Sequence, residues 1–189
     1  INKETFYYYA KKGNHKKYTK IINKSQDVID KSMEDTDSGV ADFFVKQYGS
    51  NHIFCNGSHY DFNGIIWVNN GKDALRVKLD IMDNLSAEYA NIIEHSKAKL
   101  EETTDDVKKE KLEKKIKFLE KLKRRCLMAG SINAISDIVK LKITNNTIIW
   151  EEKPYLYCFK NKIYDLEQET FVDPVQEDSL TLSTEYNYT

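Results

Sequence analysis

The sequence predicts an α+β protein that is predominantly helical, with a helical hairpin and small antiparallel β elements. Residues 74–100 and 108–126 repeat apolar side chains at three- and four-residue steps, the period of an amphipathic helix. Two Asn-Gly pairs, beginning at Asn56 and Asn63, separate short runs of aromatic and β-branched residues, a strong hairpin signal. With 189 residues, 40% of them hydrophobic, the chain can bury one globular core.

The N-terminal part of the chain predicts a helical unit followed by a polar linker. Residues 1–22 carry apolar side chains at helical intervals with a break at Gly13, which indicates a helical hairpin or an interrupted helix. The polar stretch 23–36 follows it. We therefore predict a first segment at residues 1–36 and a second, larger domain at residues 37–189.

The second domain is predicted to open with a helix and a small antiparallel sheet. Asp37 or Ser38 can cap the helix, and Gly49 ends it. Its predicted apolar face consists of Val40, Phe43, Phe44 and Tyr48. Strands are expected at residues 52–55, 59–62 and 65–68.

Two long helices are predicted in the middle of the chain. The first runs from Ala74 to about Leu100, and Asp105 and Asp106 start the second. Predicted core positions of the first helix are Leu75, Leu79, Met82, Leu85, Tyr89, Ile92 and Ile93. Those of the second are Leu112, Ile116, Leu119, Leu122 and Cys126. The two helices can form an antiparallel hairpin.

The last third of the chain changes from helix to strand. A helix is predicted from Gly130 to Leu141, with Ile132, Ile135, Ile138, Val139 and Leu141 on its apolar face. After Pro154 the pattern changes to short strands. These strands are expected at residues 155–159, 163–164 and 171–172.

The net charge of -1 conceals three strongly charged segments. Residues 1–24 hold seven lysines and one glutamate (+6), and residues 108–125 hold ten basic side chains and three carboxylates (+7). Residues 151–189 hold three lysines and nine carboxylates (-6). Basic clusters neutralise phosphates and bind nucleic acid without sequence preference. The candidate DNA-binding residues are Lys11, Lys12, Lys16, Lys17, Lys114, Lys117, Lys121, Lys123, Arg124 and Arg125.

A solvated lysine-rich helix face is the alternative interpretation of the second basic segment. Glu110 and Lys114 are four residues apart, as are Glu113 and Lys117, and such pairs stabilise a helix without any ligand. The spacing by itself leaves both interpretations open.

The sequence carries no motif that predicts catalysis. No glycine-rich loop ending in Gly-Lys-Ser/Thr is present to bind nucleotide phosphates. Asp105 and Asp106 are adjacent, but a helix start favours carboxylates without a metal. We therefore expect no catalytic, cofactor-binding or metal-binding residue in this chain.

His52, Cys55 and His59 are the residues closest to a metal-ligand pattern. A strand alternates its faces and no fourth ligand is evident, so a hairpin with a buried cysteine is the favoured interpretation. An independent metal nuclease is the least favoured function.

Cysteine spacing and hydropathy favour a reducing, intracellular compartment. The three cysteines are far apart and lack a CxxC pair, which argues against a disulfide framework or a zinc ribbon. No apolar run approaches the roughly 18 residues of a membrane-spanning helix. We expect an intracellular protein without a membrane partner.

Two sequence blocks resemble a known family. Residues 39–49, GVADFFVKQYG, and residues 60–67, YDFNGIIW, resemble the start of the domain that precedes the helicase in primase-helicases of poxviruses and giant viruses. Residues 159–166, FKNKIYDL, resemble its closing block. The matching positions that follow are Phe171, Pro174, Glu177, Asp178, Thr181 and 186–188. Residues 9–18 are similar to the last helices of the segment that follows the primase core.

Lys162 departs from this resemblance, because the family shows a glycine after the residue equivalent to Asn161. A left-handed backbone is costly for lysine, so the turn type is expected to differ here.

The resemblance implies that the full-length protein joins an archaeo-eukaryotic-type primase to a hexameric superfamily 3 helicase. ATP and magnesium would bind in the motor, beyond Thr189, and not in this segment. Expected partners are DNA and the other domains and subunits of the hexamer, in the host cytoplasm or a viral replication factory. The leading function is non-specific DNA binding, positioning of the primase relative to the helicase, or both. A purely architectural or protein-interaction module is the alternative.

Overall fold

The computed structural model describes residues 35–189. The helices are α1 (Asp37–Tyr48), α2 (Leu75–Asp80), α3 (Ser86–Glu102), α4 (Asp106–Arg125) and α5 (Ala129–Lys142), and a π-helical segment (Ile81–Leu85) joins α2 to α3. The strands are β1 (His52–Cys55), β2 (Ser58–Phe62), β3 (Trp67–Asn69), β4 (Leu156–Cys158), β5 (Ile163–Asp165) and β6 (Thr170–Val172). The predicted α+β class is confirmed. The proposed boundary between residues 1–36 and 37–189 stays a prediction.

The N-cap of α1 lies one residue before the first predicted cap position. Thr36 has an extended backbone, and its hydroxyl oxygen accepts a hydrogen bond from the Gly39 amide at 3.1 Å. The prediction of Asp37 or Ser38 as the cap was therefore wrong, because both residues are already helical. The predicted apolar face is confirmed, with Val40, Phe43 and Phe44 buried.

Strands β1, β2 and β3 form the predicted antiparallel sheet. Asn56 and Gly57 both have positive φ, 48° and 81°, as a two-residue hairpin turn of type I′ requires. The second connection is longer than two residues, and the Asn63 side chain accepts hydrogen bonds from the Ile65 and Ile66 amides. Strand β3 consequently starts at residue 67 and not at 65.

The buried face of the α2–π–α3 run differs from the predicted one. Leu75, Leu79 and Met82 were predicted in the core but are exposed. The buried positions are Val77, Ile81, Leu85, Tyr89, Ile92 and Ile93. Steps of four residues drift around a regular α-helix, and the wider π turn offsets that drift. Leu85, Tyr89, Ile92 and Ile93 are therefore buried as predicted. The prediction was wrong only at the three earlier positions, because it assumed a regular helix throughout.

Helices α3 and α4 form the predicted hairpin across a three-residue connection, residues 103–105. Ile116, Leu119, Leu122 and Cys126 of the predicted seam are buried, and Leu112 is half-buried. The Asp105 carboxylate accepts hydrogen bonds from the Val107 and Lys108 amides, at 3.0 and 3.2 Å. Asp105 is therefore the N-cap of α4, as the favoured interpretation of the acidic pair predicts.

Helix α5 packs on α1 and closes the helical core. Ile132, Ile135 and Val139 are buried as predicted, whereas Leu141 is 78% exposed. The buried residues of α5 follow steps of three and four, which place position 141 on the opposite side of the helix. Including Leu141 in the apolar face was therefore wrong.

Strands β4, β5 and β6 form the second antiparallel sheet, near their predicted positions. Its inner face contributes Cys158 and Ile163 to a small second core with Ile66 and Leu180. Lys162, in the turn between β4 and β5, does not have a positive φ, so this turn avoids the left-handed backbone that a family glycine would permit. The C-terminal segment also contacts the first sheet, because the Trp67 amide donates to the Leu180 carbonyl at 2.8 Å.

Candidate nucleic-acid interface

Helix α4 carries the basic residues that the sequence analysis selected. Its apolar seam packs into the helical core, which turns the lysines between the seam residues toward solvent. The last turn contains Lys123, Arg124 and Arg125. Cations are favoured there because the carbonyl end of a helix is partially negative.

The predicted α4 residues differ in how far they are exposed and paired. Lys114, Lys117, Lys121 and Arg124 are exposed, and Lys123 is half-buried. The Lys114 ammonium lies 2.6 Å from a Glu110 carboxylate oxygen, which confirms that predicted pair. An exposed pair of this kind contributes little stability, so Lys114 remains available to an anionic ligand.

Arg125 has a different role from its neighbour Arg124. Its guanidinium donates hydrogen bonds to the carboxylates of Asp35 and Asp37, each at 3.1 Å, and to the Asp35 carbonyl at 3.0 Å. The hydrogen bond with Asp35 is the main cause that raises the pKa of Arg125. Arg125 therefore joins the end of α4 to the start of α1.

A groove lies where α4 meets α5. The residues that line it are Asp35, Lys121, Arg124, Arg125, Met128 and Ser131. Ser131 belongs to the first turn of α5, and the N-cap residue Met128 makes no capping hydrogen bond with its side chain. The groove thus combines two exposed cations with the positive end of a helix, a combination that suits phosphate.

The other four predicted DNA-binding residues lie outside the described part of the chain. These are Lys11, Lys12, Lys16 and Lys17. The structure consequently tests neither their contact with DNA nor their position relative to α4.

The His52, Cys55 and His59 set is divided by the first sheet. His52 Nδ1 lies 3.2 Å from His59 Nε2, with the two rings stacked. Cys55 is three residues from His52 on the same strand and therefore belongs to the opposite face. Within residues 35–189 the structure shows no group of three or more histidine, cysteine or acidic side chains placed to hold a metal ion.

The histidine pair continues into an ionic cluster around the buried Asp80, which the sequence analysis missed. His52 Nε2 and Arg76 Nε each lie 3.3 Å from Asp80 Oδ2, and Asn84 donates to Asp80 Oδ1 at 2.6 Å. Burial acts to raise the pKa of Asp80, but the hydrogen bond from His52 and the charge of Arg76 outweigh it and lower that pKa. The four-residue steps from Arg76 to Asp80 and Asn84 were the signal that could have identified this cluster.

The sequence of this α+β domain, with its basic helical hairpin and second sheet, is similar to that of a known protein family. Residues 41–189 match the family described as "D5 N terminal like". The chain belongs to this family, and the resemblance predicted from its opening and closing blocks is confirmed.

A viral relative is also similar over nearly the whole chain. It is a protein of Acanthamoeba polyphaga mimivirus named as a "Putative helicase", 26% identical over 191 aligned residues. The match covers 97% of this chain and 20% of the relative, so the chain spans about a fifth of that protein's length.

The helices between residues 35 and 189 do not have the dimensions and hydropathy of a membrane span. Each of them is too short or too polar to cross a bilayer.

Proposed function

We propose that this chain is the region preceding the motor of a viral primase-helicase, and that it binds DNA without sequence preference through α4 and the groove at its C-terminal end. The observation that carries the proposal is the exposure of Lys117, Lys121 and Arg124 beside that groove. Family membership and the helicase name of the mimivirus relative support the larger context. ATP hydrolysis and priming would belong to other parts of the full-length protein, with ATP and magnesium bound there.

The groove suits the phosphate backbone better than it suits base edges. Lysine ammonium groups and helix amides recognise phosphate charge, which is the same at every position of DNA. A domain that holds DNA in this way can deliver it to an adjacent hexameric ring and keep the primase at a fixed distance from the helicase. Binding is therefore expected to be weak, sequence-tolerant and salt-sensitive.

The first experiment compares the DNA affinity of a variant that lacks basic residues of α4 with that of a variant that lacks basic residues elsewhere. Replacing Lys117, Lys121 and Arg124 together by alanine should weaken binding of a labelled single strand and of the matching duplex. Across a salt series from about 50 to 200 mM, the slope of log affinity against log salt should fall by about 1 for each phosphate that the variant no longer neutralises. Fluorescence anisotropy of the 189-residue chain measures both quantities.

The matched control replaces three exposed lysines elsewhere in the chain, Lys46, Lys72 and Lys99, by alanine. This variant has the same net charge as the test variant. A larger loss of DNA affinity in the α4 variant than in this control would locate the DNA-binding surface on α4. Equal losses would refute a localised site. Failure of the unaltered chain to bind either DNA form at low salt would refute the function itself.

A protein-docking function is supported by a different surface. The second sheet carries a row of exposed aromatic rings, far in sequence from α4, and this surface could connect the region to another replication protein.

A further inference from the structure

The outer face of the second sheet breaks the usual alternation of apolar and polar residues. Four of the six inner positions on β4, β5 and β6 are apolar: Leu156, Cys158, Ile163 and Val172. The outer positions of such a sheet are expected to be polar. The outer positions are instead Tyr157, Tyr164 and Phe171, which stand side by side in the strand register.

Two further rings extend these three into a continuous aromatic row. The centroid of Phe159 lies 5.1 Å from that of Tyr157 and 5.5 Å from that of Tyr188. Tyr188 lies 4.5 Å from Phe171, which lies 5.1 Å from Tyr164. We call these five residues the aromatic row.

The aromatic row is substantially open to solvent. Tyr157 is 47% exposed, Tyr188 44% and Phe171 37%. Contiguous exposed aromatic surface is costly in water, and such patches commonly mark binding sites. Burial of these rings against a partner would remove that cost.

Charge indicates what kind of partner covers the aromatic row. Residues 151–189 have a net charge of -6, and Glu167, Glu169 and Asp173 are exposed in or beside the β5–β6 hairpin. A nucleic-acid backbone would be repelled by this field, whereas a basic polypeptide would be attracted.

Lys162 shows that the rings accept a cation. Its ammonium lies 5.2 Å from the Phe171 centroid and 5.4 Å from the Tyr188 centroid, within the range of cation–π attraction. The same ring faces can receive the cation of a partner, and arginine, whose planar group stacks on aromatic rings, suits them better than lysine.

We infer that the aromatic row is a docking site for an arginine- or lysine-bearing segment of a protein partner, whose cations lie over the exposed rings while the surrounding carboxylates attract its charge. This surface is distinct from the proposed DNA groove and does not depend on it.

The test measures binding of three synthetic peptides to the 189-residue chain: alternating Gly-Arg, alternating Gly-Lys and alternating Gly-Glu. The expected order of affinity is Gly-Arg, then Gly-Lys, with Gly-Glu unbound. Phe171→Leu and Tyr188→Leu should each weaken Gly-Arg binding roughly three-fold, the effect of removing one exposed cation–π interaction. Tyr157→Leu provides a third variant in case one of the others fails to fold, as judged by circular dichroism.

The matched control is Tyr186→Leu, which removes an equally large exposed ring outside the aromatic row. It should leave Gly-Arg affinity unchanged. Equal losses in Tyr186→Leu and Tyr188→Leu, or no loss in any variant of the row, would overturn the inference.

Lys162→Ala separates a basic partner from single-stranded DNA. Removing this competing cation should leave Gly-Arg binding unchanged or tighten it. If Lys162→Ala and Phe171→Leu instead weaken binding of an oligothymidylate and leave the peptide unaffected, the aromatic row binds nucleic acid and the inference is wrong. This outcome is independent of the α4 charge variants.

Discussion

The buried histidine pair is the residue-scale feature with the most direct consequence. His59 is fully buried, and its Nδ1 atom has no hydrogen-bond partner. Burial, assisted by electrostatic repulsion from His52, lowers the pKa of His59 to about 4 from an ordinary value of 6.5. His59 is therefore neutral at physiological pH, and His52 connects it to the ionised Asp80.

This shift predicts a pH dependence of stability. Between pH 4 and 6.5 the unfolded chain binds a proton at His59 that the folded chain does not, so the free energy of unfolding should rise with pH and level off above 6.5. In His59→Gln, whose amide can still bond to His52, the rise should be smaller by roughly 3 kcal/mol. Urea unfolding at several pH values measures it. An identical pH dependence in both proteins would contradict the assigned pKa.

Arg125 and Arg124 show that adjacent residues of one type can have very different surroundings. Arg125 is bound by two carboxylates of the preceding segment, whereas Arg124 is exposed beside the groove. The sequence offers the same charge at both positions. Only the fold distinguishes the residue that stabilises the α1–α4 contact from the one proposed to bind phosphate.

The start of α4 is the element-scale feature that allows a matched test. Asp105→Ala should lower the free energy of unfolding by about 1 kcal/mol, because the Val107 and Lys108 amides lose their acceptor. Asp106→Ala removes the same charge from the first helical turn without removing the cap, and it should cost less. Thermal or urea unfolding distinguishes them. Equal losses would assign the effect to the helix dipole and not to the cap.

The two cores differ in size, and this predicts unequal stability across the whole molecule. Within residues 35–189 the helical core contains nineteen buried residues, including Phe43, Tyr89 and Leu119, whereas the second core contains four. A smaller buried apolar surface means a lower cost of local opening. Amides of β4, β5 and β6 should therefore exchange with deuterium before those of α3 and α4. Uniform exchange, followed by mass spectrometry, would indicate a single cooperative unit.

Much of this architecture was predictable from the sequence, because its signals are local. The Asn56-Gly57 turn fixes the first hairpin, Asp105 starts α4, and steps of three and four place Ile116, Leu119 and Leu122 on one face. The basic side of α4 follows from the same periodicity. The order of the opening and closing sequence blocks likewise sufficed to predict the family.

Tertiary structure alone decided the features that depend on residues distant in the chain or on irregular geometry. The π turn at Ile81–Leu85 changes which side of α2 is buried, so the predicted side is exposed. Arg125 binds Asp35, which lies ninety positions away in the sequence. The aromatic row exists only because strand register and the last residues bring Tyr188 beside Phe159 and Phe171. Periodicity reports which side of one element is apolar. It does not report what that side, or the opposite one, meets when the elements pack together.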